Sequence, residues 1–348
     1  MRRAAGPWSV VVVAVTALVA ASCSSGGNTS SSSASSGPAA PAAVAARPSS
    51  GCTSATPVPV GEEKVTLDAG GTSRWYFRHV PPGYDGKRPT PLVLDIHGYS
   101  EGALVHTKLS GLGPYGDQHG FVTITPQGRG PVPMWDTTLG GVDLQFVGTL
   151  LDSLDRTLCV DDARVFVTGL SNGAFMTSAV ACAYADRVAA AAPVAGIRDI
   201  EGCRPSRAVP VVAFHGTEDP FVAFEGGLGP KALALPAPDG SGKTLAQEGL
   251  ANTNKGPSIT EITAAWAKRN RCTAPPTEQP VASDVAVVRF KCPVGAEAEL
   301  YRITGGGHSW PGSEFSKGIA SVVGPTTMSI SANDVMWSFF TQHPRRGT

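Results

Sequence analysis

The chain has no surplus of either charge: 28 lysines and arginines stand against 28 aspartates and glutamates. Nothing in that balance favours nucleic acid or an anionic membrane face as a partner. No Cys-x-x-Cys pair occurs among the seven cysteines, so the spacing of a zinc site is missing. No internal repeat is present, and no apolar run is long enough to cross a bilayer comfortably. What is abundant is glycine (41) and proline (29), which suits a loop-rich fold better than a helical bundle.

The first residues read as an export signal. Arg2 and Arg3 precede the apolar run 10–21, the length of a signal-peptide core. Ala20-Ala21-Ser22-Cys23 follows and resembles the lipobox of bacterial lipoproteins, with Ala20 where leucine is commonest. That resemblance implies a signal peptide over 1–22 and lipidation of Cys23; simple cleavage with release is the alternative. Residues 23–51 are serine-, alanine- and proline-rich and predict a flexible tether, leaving residues 52–348 as one catalytic domain. The chain is therefore expected at the outer face of the cell membrane or secreted.

Without Cys23 six cysteines remain, an even number that implies disulfides in an exported chain. Among the fifteen pairings open to six cysteines, two short closures of about 20 residues are favoured, Cys182–Cys203 and Cys272–Cys292. Cys52–Cys159 is then left to pin the start of the domain.

Strand patterns at 60–67, 73–80, 91–97, 121–126, 163–168, 188–194, 209–215, 285–290 and 298–303 alternate with helical patterns at 142–158, 172–184 and 259–270. Val142, Phe146, Val147, Leu150, Leu151, Leu154 and Leu158 form the apolar face of the first helix. Residues 226–257 read as a long loop, and Asn333 as the cap of a last helix reaching Phe340. The fold class is α/β, a mainly parallel sheet with helices on both faces. In such sheets chemistry gathers beyond the C-terminal ends of the strands.

One of those ends carries Gly169-Leu170-Ser171-Asn172-Gly173, a Gly-x-Ser-x-Gly turn between strand and helix. This is the form of a nucleophile elbow, in which any side chain at Gly169 or Gly173 would strike the neighbouring backbone. A serine hydroxyl needs a base in contact with it. Of seven histidines, His308 in Gly305-Gly306-Gly307-His308-Ser309-Trp310 lies late, after a strand, in a glycine-rich setting. His97 and His215, each followed by glycine at a strand end, read as structural; His79, His106, His119 and His343 read as surface residues. Asp219, with Glu218 as its rival, follows strand 209–215 and is placed to orient His308. The order Ser171, Asp219, His308 is that of the α/β-hydrolases. Backbone N–H groups of Asn172 and of Tyr99, in His97-Gly98-Tyr99, are the candidate oxyanion donors. Such a triad needs neither metal nor organic cofactor.

Asp95-Ile96-His97-Gly98-Tyr99, Gly169-Leu170-Ser171-Asn172-Gly173-Ala174, Phe214-His215-Gly216-Thr217-Glu218-Asp219-Pro220 and Gly305-Gly306-Gly307-His308-Ser309-Trp310-Pro311 together resemble one esterase family. It includes polyhydroxybutyrate depolymerases, feruloyl esterases and acetylxylan esterases, and the actinobacterial lipoprotein esterases of the group are the nearest in pattern. The resemblance covers roughly residues 60–342 and implies an α/β-hydrolase fold, the Ser171–Asp219–His308 triad, and Tyr99 and Asn172 as oxyanion donors. It implies hydrolysis of short-chain, hydroxyalkanoate or plant cell-wall esters by an exported serine esterase. Since the chain ends soon after its last helix, soluble esters are expected over insoluble polyester. Where many members have a tryptophan-rich segment, this chain has Pro133-Met134-Trp135-Asp136, which makes Trp135, with Trp310, a candidate wall of the substrate pocket. A serine peptidase or amidase is the alternative reaction, and a carbohydrate- or lipid-binding lipoprotein the alternative of another class.

Overall fold

A computed structural model describes residues 44–54, 57–249 and 256–346. The expected signal peptide and Cys23 lie outside these residues. Ten strands form one sheet: β1 (Gly61–Ala69), β2 (Thr72–Val80), β3 (Thr90–Ile96), β4 (Val122–Pro126), β5 (Val160–Leu170), β6 (Ala190–Val194), β7 (Val211–Gly216), β8 (Thr273–Pro280), β9 (Val285–Lys291) and β10 (Ala298–Ile303). Their order is β1-β2-β4-β3-β5-β6-β7-β10-β9-β8. The block from β4 to β10 is parallel, while β1–β2 and β9–β8 close its two edges as antiparallel pairs.

The helices are α1 (Gly51–Ser54), α2 (Ala103–Ser110), α3 (Leu112–His119), α4 (Val142–Thr157), α5 (Asn172–Ala183), α6 (Ile259–Arg269), α7 (Glu314–Gly318), α8 (Ala320–Val323) and α9 (Ala332–Gln342). Successive side chains of a strand point to opposite faces, and the central strands are apolar on both. Leu92, Leu94, Val165 and Val167 pack with α4, α5 and α6; Val93, Phe166, Val212 and Phe214 pack with α2, α3 and α9. Two buried layers thus clamp the sheet and fix where its strand ends sit.

Several expectations need correction. Val142 is exposed, because it opens α4 before the helix turns onto the sheet. The cap of α9 is Ser331, whose hydroxyl accepts the Asp334 N–H; Asn333 lies inside the helix. Strand β8 escaped notice because of Pro275 and Pro276, which an outermost strand tolerates. Residues 44–51, expected to belong to the tether, are docked on the domain. The Ser49 N–H donates to Val160 O (2.9 Å), its hydroxyl to Leu158 O (2.7 Å), and the Arg47 N–H to Asp161 Oδ1 (2.9 Å). These are backbone and hydroxyl contacts, so a segment with little apolar surface can still be held. Disulfides join Cys52 to Cys159, Cys182 to Cys203 and Cys272 to Cys292.

Candidate active site

Ser171 sits between β5 and α5 with φ 57° and ψ −119°, a conformation non-glycine residues rarely adopt. The turn is held by close approach. A Cβ on Gly169 would lie 2.5 Å from Ile96 O, and one on Gly173 only 2.0 Å from the same oxygen. The Ser171 N–H donates to Val194 O (2.9 Å), tying the elbow to the adjacent strand.

Asp219 follows β7 and is buried. Its Oδ1 accepts the backbone N–H groups of Phe221 (2.8 Å) and Val222 (2.9 Å). Its Oδ2 accepts from His308 Nδ1 at 2.8 Å and lies 3.3 Å from His215 Nε2. Burial works against its charge, yet the two histidines hold this carboxyl well below the usual carboxylate range. With Nδ1–H given to Asp219, the lone pair of His308 is left on Nε2.

The His308 backbone is fixed by its N–H to Val323 O (2.6 Å). Its ring packs on Phe221, the centroids 4.9 Å apart. Gly307 is glycine because a Cβ there would lie 2.3 Å from that same Val323 oxygen. Glu218, the rival of Asp219, is absent from this contact; its N–H donates to Gly306 O (2.9 Å).

The loop after β3 adjoins the elbow. A Cβ on Gly98 would lie 3.5 Å from Ser171 Cβ. His97 is fully buried, its Nδ1 donating to Gly98 O (2.7 Å) while its Nε2 accepts the Gly128 N–H (2.8 Å). Burial pushes its pKa down to about 4, so the ring is neutral and its tautomer is fixed by the Gly128 amide. The expectation of a structural His97 agrees with this. His215 is likewise buried, its Nε2 donating to Val222 O (2.9 Å) behind Asp219.

Neither tryptophan has the surface that a pocket wall needs. Trp135 is 2% exposed; its indole N–H donates to His97 O (2.9 Å) and its own N–H to Asn172 Oδ1 (2.8 Å). It bridges the two segments that carry the oxyanion candidates. Trp310 is 1% exposed, with its indole N–H on Asn333 Oδ1 (2.9 Å) in the core beside α9. A buried indole must find an acceptor, and both find one inside the protein.

Sequence reasoning also placed His106 at the surface, and it is 0% exposed. Its Nδ1 meets Glu101 Oε1 at 3.0 Å and its Nε2 meets Asp95 Oδ1 at 2.7 Å. Burial opposes protonation, but the two carboxylates push its pKa up to about 10. The signal was faint: Asp95, Glu101 and His106 come together only because β3 ends in a tight turn into α2. His343, also expected outside, is buried, with Nδ1 on Phe339 O (2.6 Å).

One helical turn beyond Ser171, Phe175 opens a cavity of about 540 Å³ lined also by Ile197, Val222, Leu228, Ile259 and Ile262. Arg198 stands at its edge, the guanidinium 4.9 Å over the Phe175 ring. Tyr99, on the loop after β3, donates its hydroxyl to Pro236 O (2.7 Å) in the long segment after β7.

No family model matches the chain. Over 239 residues it is 28% identical to feruloyl esterase B of Piromyces equi, covering 66% of this chain and 41% of that protein. Over 129 residues it is 35% identical to poly(3-hydroxyalkanoate) depolymerase C of Paucimonas lemoignei, covering 34% of this chain and 30% of that protein. The chain thus spans less than half the length of these two relatives. Among solved structures it superposes on an acetyl xylan esterase from Aspergillus awamori with a TM-score of 0.51 at 17% identity, covering 71% of this chain and 94% of the other. The fold is the α/β-hydrolase fold.

Proposed function

We propose that this α/β-hydrolase, a relative of proteins named feruloyl esterase and poly(3-hydroxyalkanoate) depolymerase, is an exported serine carboxylic-ester hydrolase. The observation that carries the reading is the 2.8 Å contact of His308 Nδ1 with buried Asp219, on the same sheet edge as the strained Ser171 turn. Ser171 Oγ attacks the ester carbonyl while His308 Nε2 takes its proton. The N–H groups of Tyr99 and Asn172 receive the developing oxyanion. His308 then returns the proton to the departing alcohol, leaving an acyl group on Ser171. Water, deprotonated by His308 in turn, releases the acid and restores the serine. Asp219 stays ionised throughout and stabilises the imidazolium that forms in each half-reaction.

The apolar cavity beside Phe175 supports an ester with a substantial apolar part, and short-chain, hydroxyalkanoate and plant cell-wall esters are the classes to test. Three disulfides support export, since such bonds persist in oxidising compartments. Cleavage before Cys23 and its lipidation would then tether the enzyme to the outer membrane face.

The test is Ser171→Ala assayed on p-nitrophenyl butyrate, with fluorophosphonate labelling alongside. Loss of both turnover and label is expected; full turnover in the variant would end the proposal. A panel of methyl ferulate, acetylated xylan, hydroxybutyrate oligomers and a p-nitroanilide separates substrates. Faster anilide than ester hydrolysis would favour the peptidase reading.

A further inference from the structure

The buried group of Asp95, Glu101 and His106 has no part in proton transfer, yet it ends on the oxyanion loop. Glu101 Oε2 accepts the Gly98 N–H at 2.6 Å, and Oε1 meets His106 Nδ1 at 3.0 Å. On the far side of the ring, Asp95 takes His106 Nε2 through one oxygen (2.7 Å) and the Ser110 hydroxyl through the other (2.6 Å). Ser110 closes α2, so the chain of bonds runs from a strand end, through a helix, back to Gly98.

The consequence follows from peptide planarity. In a trans peptide the C=O and the N–H point in opposite directions, so fixing either fixes the other. The His97–Gly98 plane is held at both ends: Trp135 Nε1 donates to its oxygen (2.9 Å) and Glu101 accepts from its N–H. The Gly98–Tyr99 plane is held at its oxygen by His97 Nδ1 (2.7 Å) and more loosely by the Glu101 N–H (3.3 Å). Among the described residues, the Tyr99 N–H has no protein acceptor. Every polar group of the two planes is tied down except the Tyr99 N–H.

We propose that Glu101, held between the His106 ring and the Gly98 amide, is a positioning residue that aims the Tyr99 N–H at the developing oxyanion. The proposal rests on the ester-hydrolase reading above. Protonated His106 between two carboxylates leaves the cluster one negative charge in total. A bare carboxylate this close to an oxyanion would oppose catalysis, so the imidazolium lets Glu101 serve as an acceptor at lower electrostatic cost. Burial works against the Glu101 charge, but His106 and the Gly98 amide keep its pKa below the ordinary range, and it remains an acceptor at working pH.

Glu101→Gln is nearly isosteric and keeps only one accepting oxygen, so it cannot accept from Gly98 and from a protonated His106 together. Kinetics are normalised to the serines titrated by fluorophosphonate, which removes any loss of folded protein. Because the donor is misaimed rather than deleted, kcat per site for p-nitrophenyl butyrate should fall about 10- to 100-fold, less than the 10²–10³ for losing a donor. KM should stay within about twofold, and Ki for a trifluoromethyl ketone, which forms an oxyanion on Ser171, should rise by the factor that kcat/KM falls. Glu101→Asp keeps the charge beside His106 but draws back from Gly98. It should be as slow as Glu101→Gln, whereas a purely structural charge would be rescued.

Unchanged kcat per site in Glu101→Gln, or full rescue by Asp, would overturn the inference. If Glu101→Gln does not fold, Asp95→Asn, which touches His106 but not the loop, is read in the same way. Retained labelling and turnover in Ser171→Ala would instead overturn the ester-hydrolase reading, so the two failures are distinguishable.

Discussion

Adding one methyl group at Gly307 tests how tightly His308, the proposed base, must be held. The Cβ of Gly307→Ala would lie 2.3 Å from Val323 O and 2.6 Å from Gly324 Cα, both backbone atoms, against a practical minimum of about 3 Å. The two segments must part by roughly 0.7 Å. Val323 O is also the acceptor of the His308 N–H (2.6 Å), so the displacement acts on the backbone that carries the base. A shift of that size would stretch the 2.8 Å His308–Asp219 bond to about 3.5 Å, the edge of hydrogen bonding. Misplacement on the order of 1 Å costs about 10²-fold in rate. Overpacking of about 1–3 kcal/mol and a weakened hydrogen bond of about 1 kcal/mol add up to about 2–4 kcal/mol of stability. Turnover of p-nitrophenyl butyrate per titrated serine should therefore fall about 10²-fold with KM unchanged, and Tm should drop by roughly 3–6 °C. Gly305→Ala is the control: nothing lies within 4 Å of its Cβ, and its φ of +71° adds only backbone strain of about 1 kcal/mol. A Gly307→Ala enzyme with the rate and Tm of the parent would refute this account of the His308 loop.

Trp135→Phe removes the donor to His97 O and keeps an aromatic ring, though a smaller one than the indole. Turnover should fall about tenfold with KM unaltered, and a changed KM pattern across acyl lengths would show that Trp135 is a wall after all. Loss of the Cys52–Cys159 bond, which spans 107 residues, should cost about 4–5 kcal/mol against about 3 for Cys182–Cys203, which spans 21. Equal Tm losses for the two paired serine variants would contradict that ranking. His97 and His106 should act on stability with opposite signs. The folded pKa of His97 is lowered to about 4, so its contribution is present above the unfolded value of about 6.5 and is lost as pH falls through the window toward 4. The folded pKa of His106 is raised to about 10, so its contribution is full below about 6.5 and is lost as pH rises toward 10. Urea unfolding between pH 5 and 9 should show His106→Gln flattening the alkaline side of the profile; an unaltered alkaline slope would count against a charged His106.

The sheet was legible because parallel strands buried on both faces leave unbroken apolar runs such as 188–194, and glycine marks where they end. Ser171 could be found for the same reason: Gly169 and Gly173 are demanded by backbone contacts with Ile96 O, and local sequence records such demands. What local sequence records poorly is a partner that arrives through the fold. Trp135 looked like a pocket wall because it stands where many of the esterases it resembles have a tryptophan-rich segment, but its indole N–H reaches His97, 38 residues back. Asn333 looked like a cap because asparagine often is one, yet its side chain holds Trp310 and Ser110 O.

The histidines show where that boundary lies. His97 and His215 were readable as structural because a histidine at a buried strand end has carbonyls within reach whatever the rest of the fold does. His308 could be singled out as the proposed base because three glycines before it permit a close backbone approach that no ordinary loop requires. His106 had no such local mark. On its own helix it has an exposed leucine and valine on one side and Thr107 on the other, which reads as a solvated stretch. Its identity as a buried cation depends on Asp95, eleven residues earlier on β3, and on Glu101 in the turn between. Placing a neutral histidine and a cationic one on either side of the same two peptide planes is a property of the β3–α2 turn as a whole. The same imidazole therefore stands as proposed base, neutral clamp and cation within one region, and what decides among them is the partner each nitrogen meets.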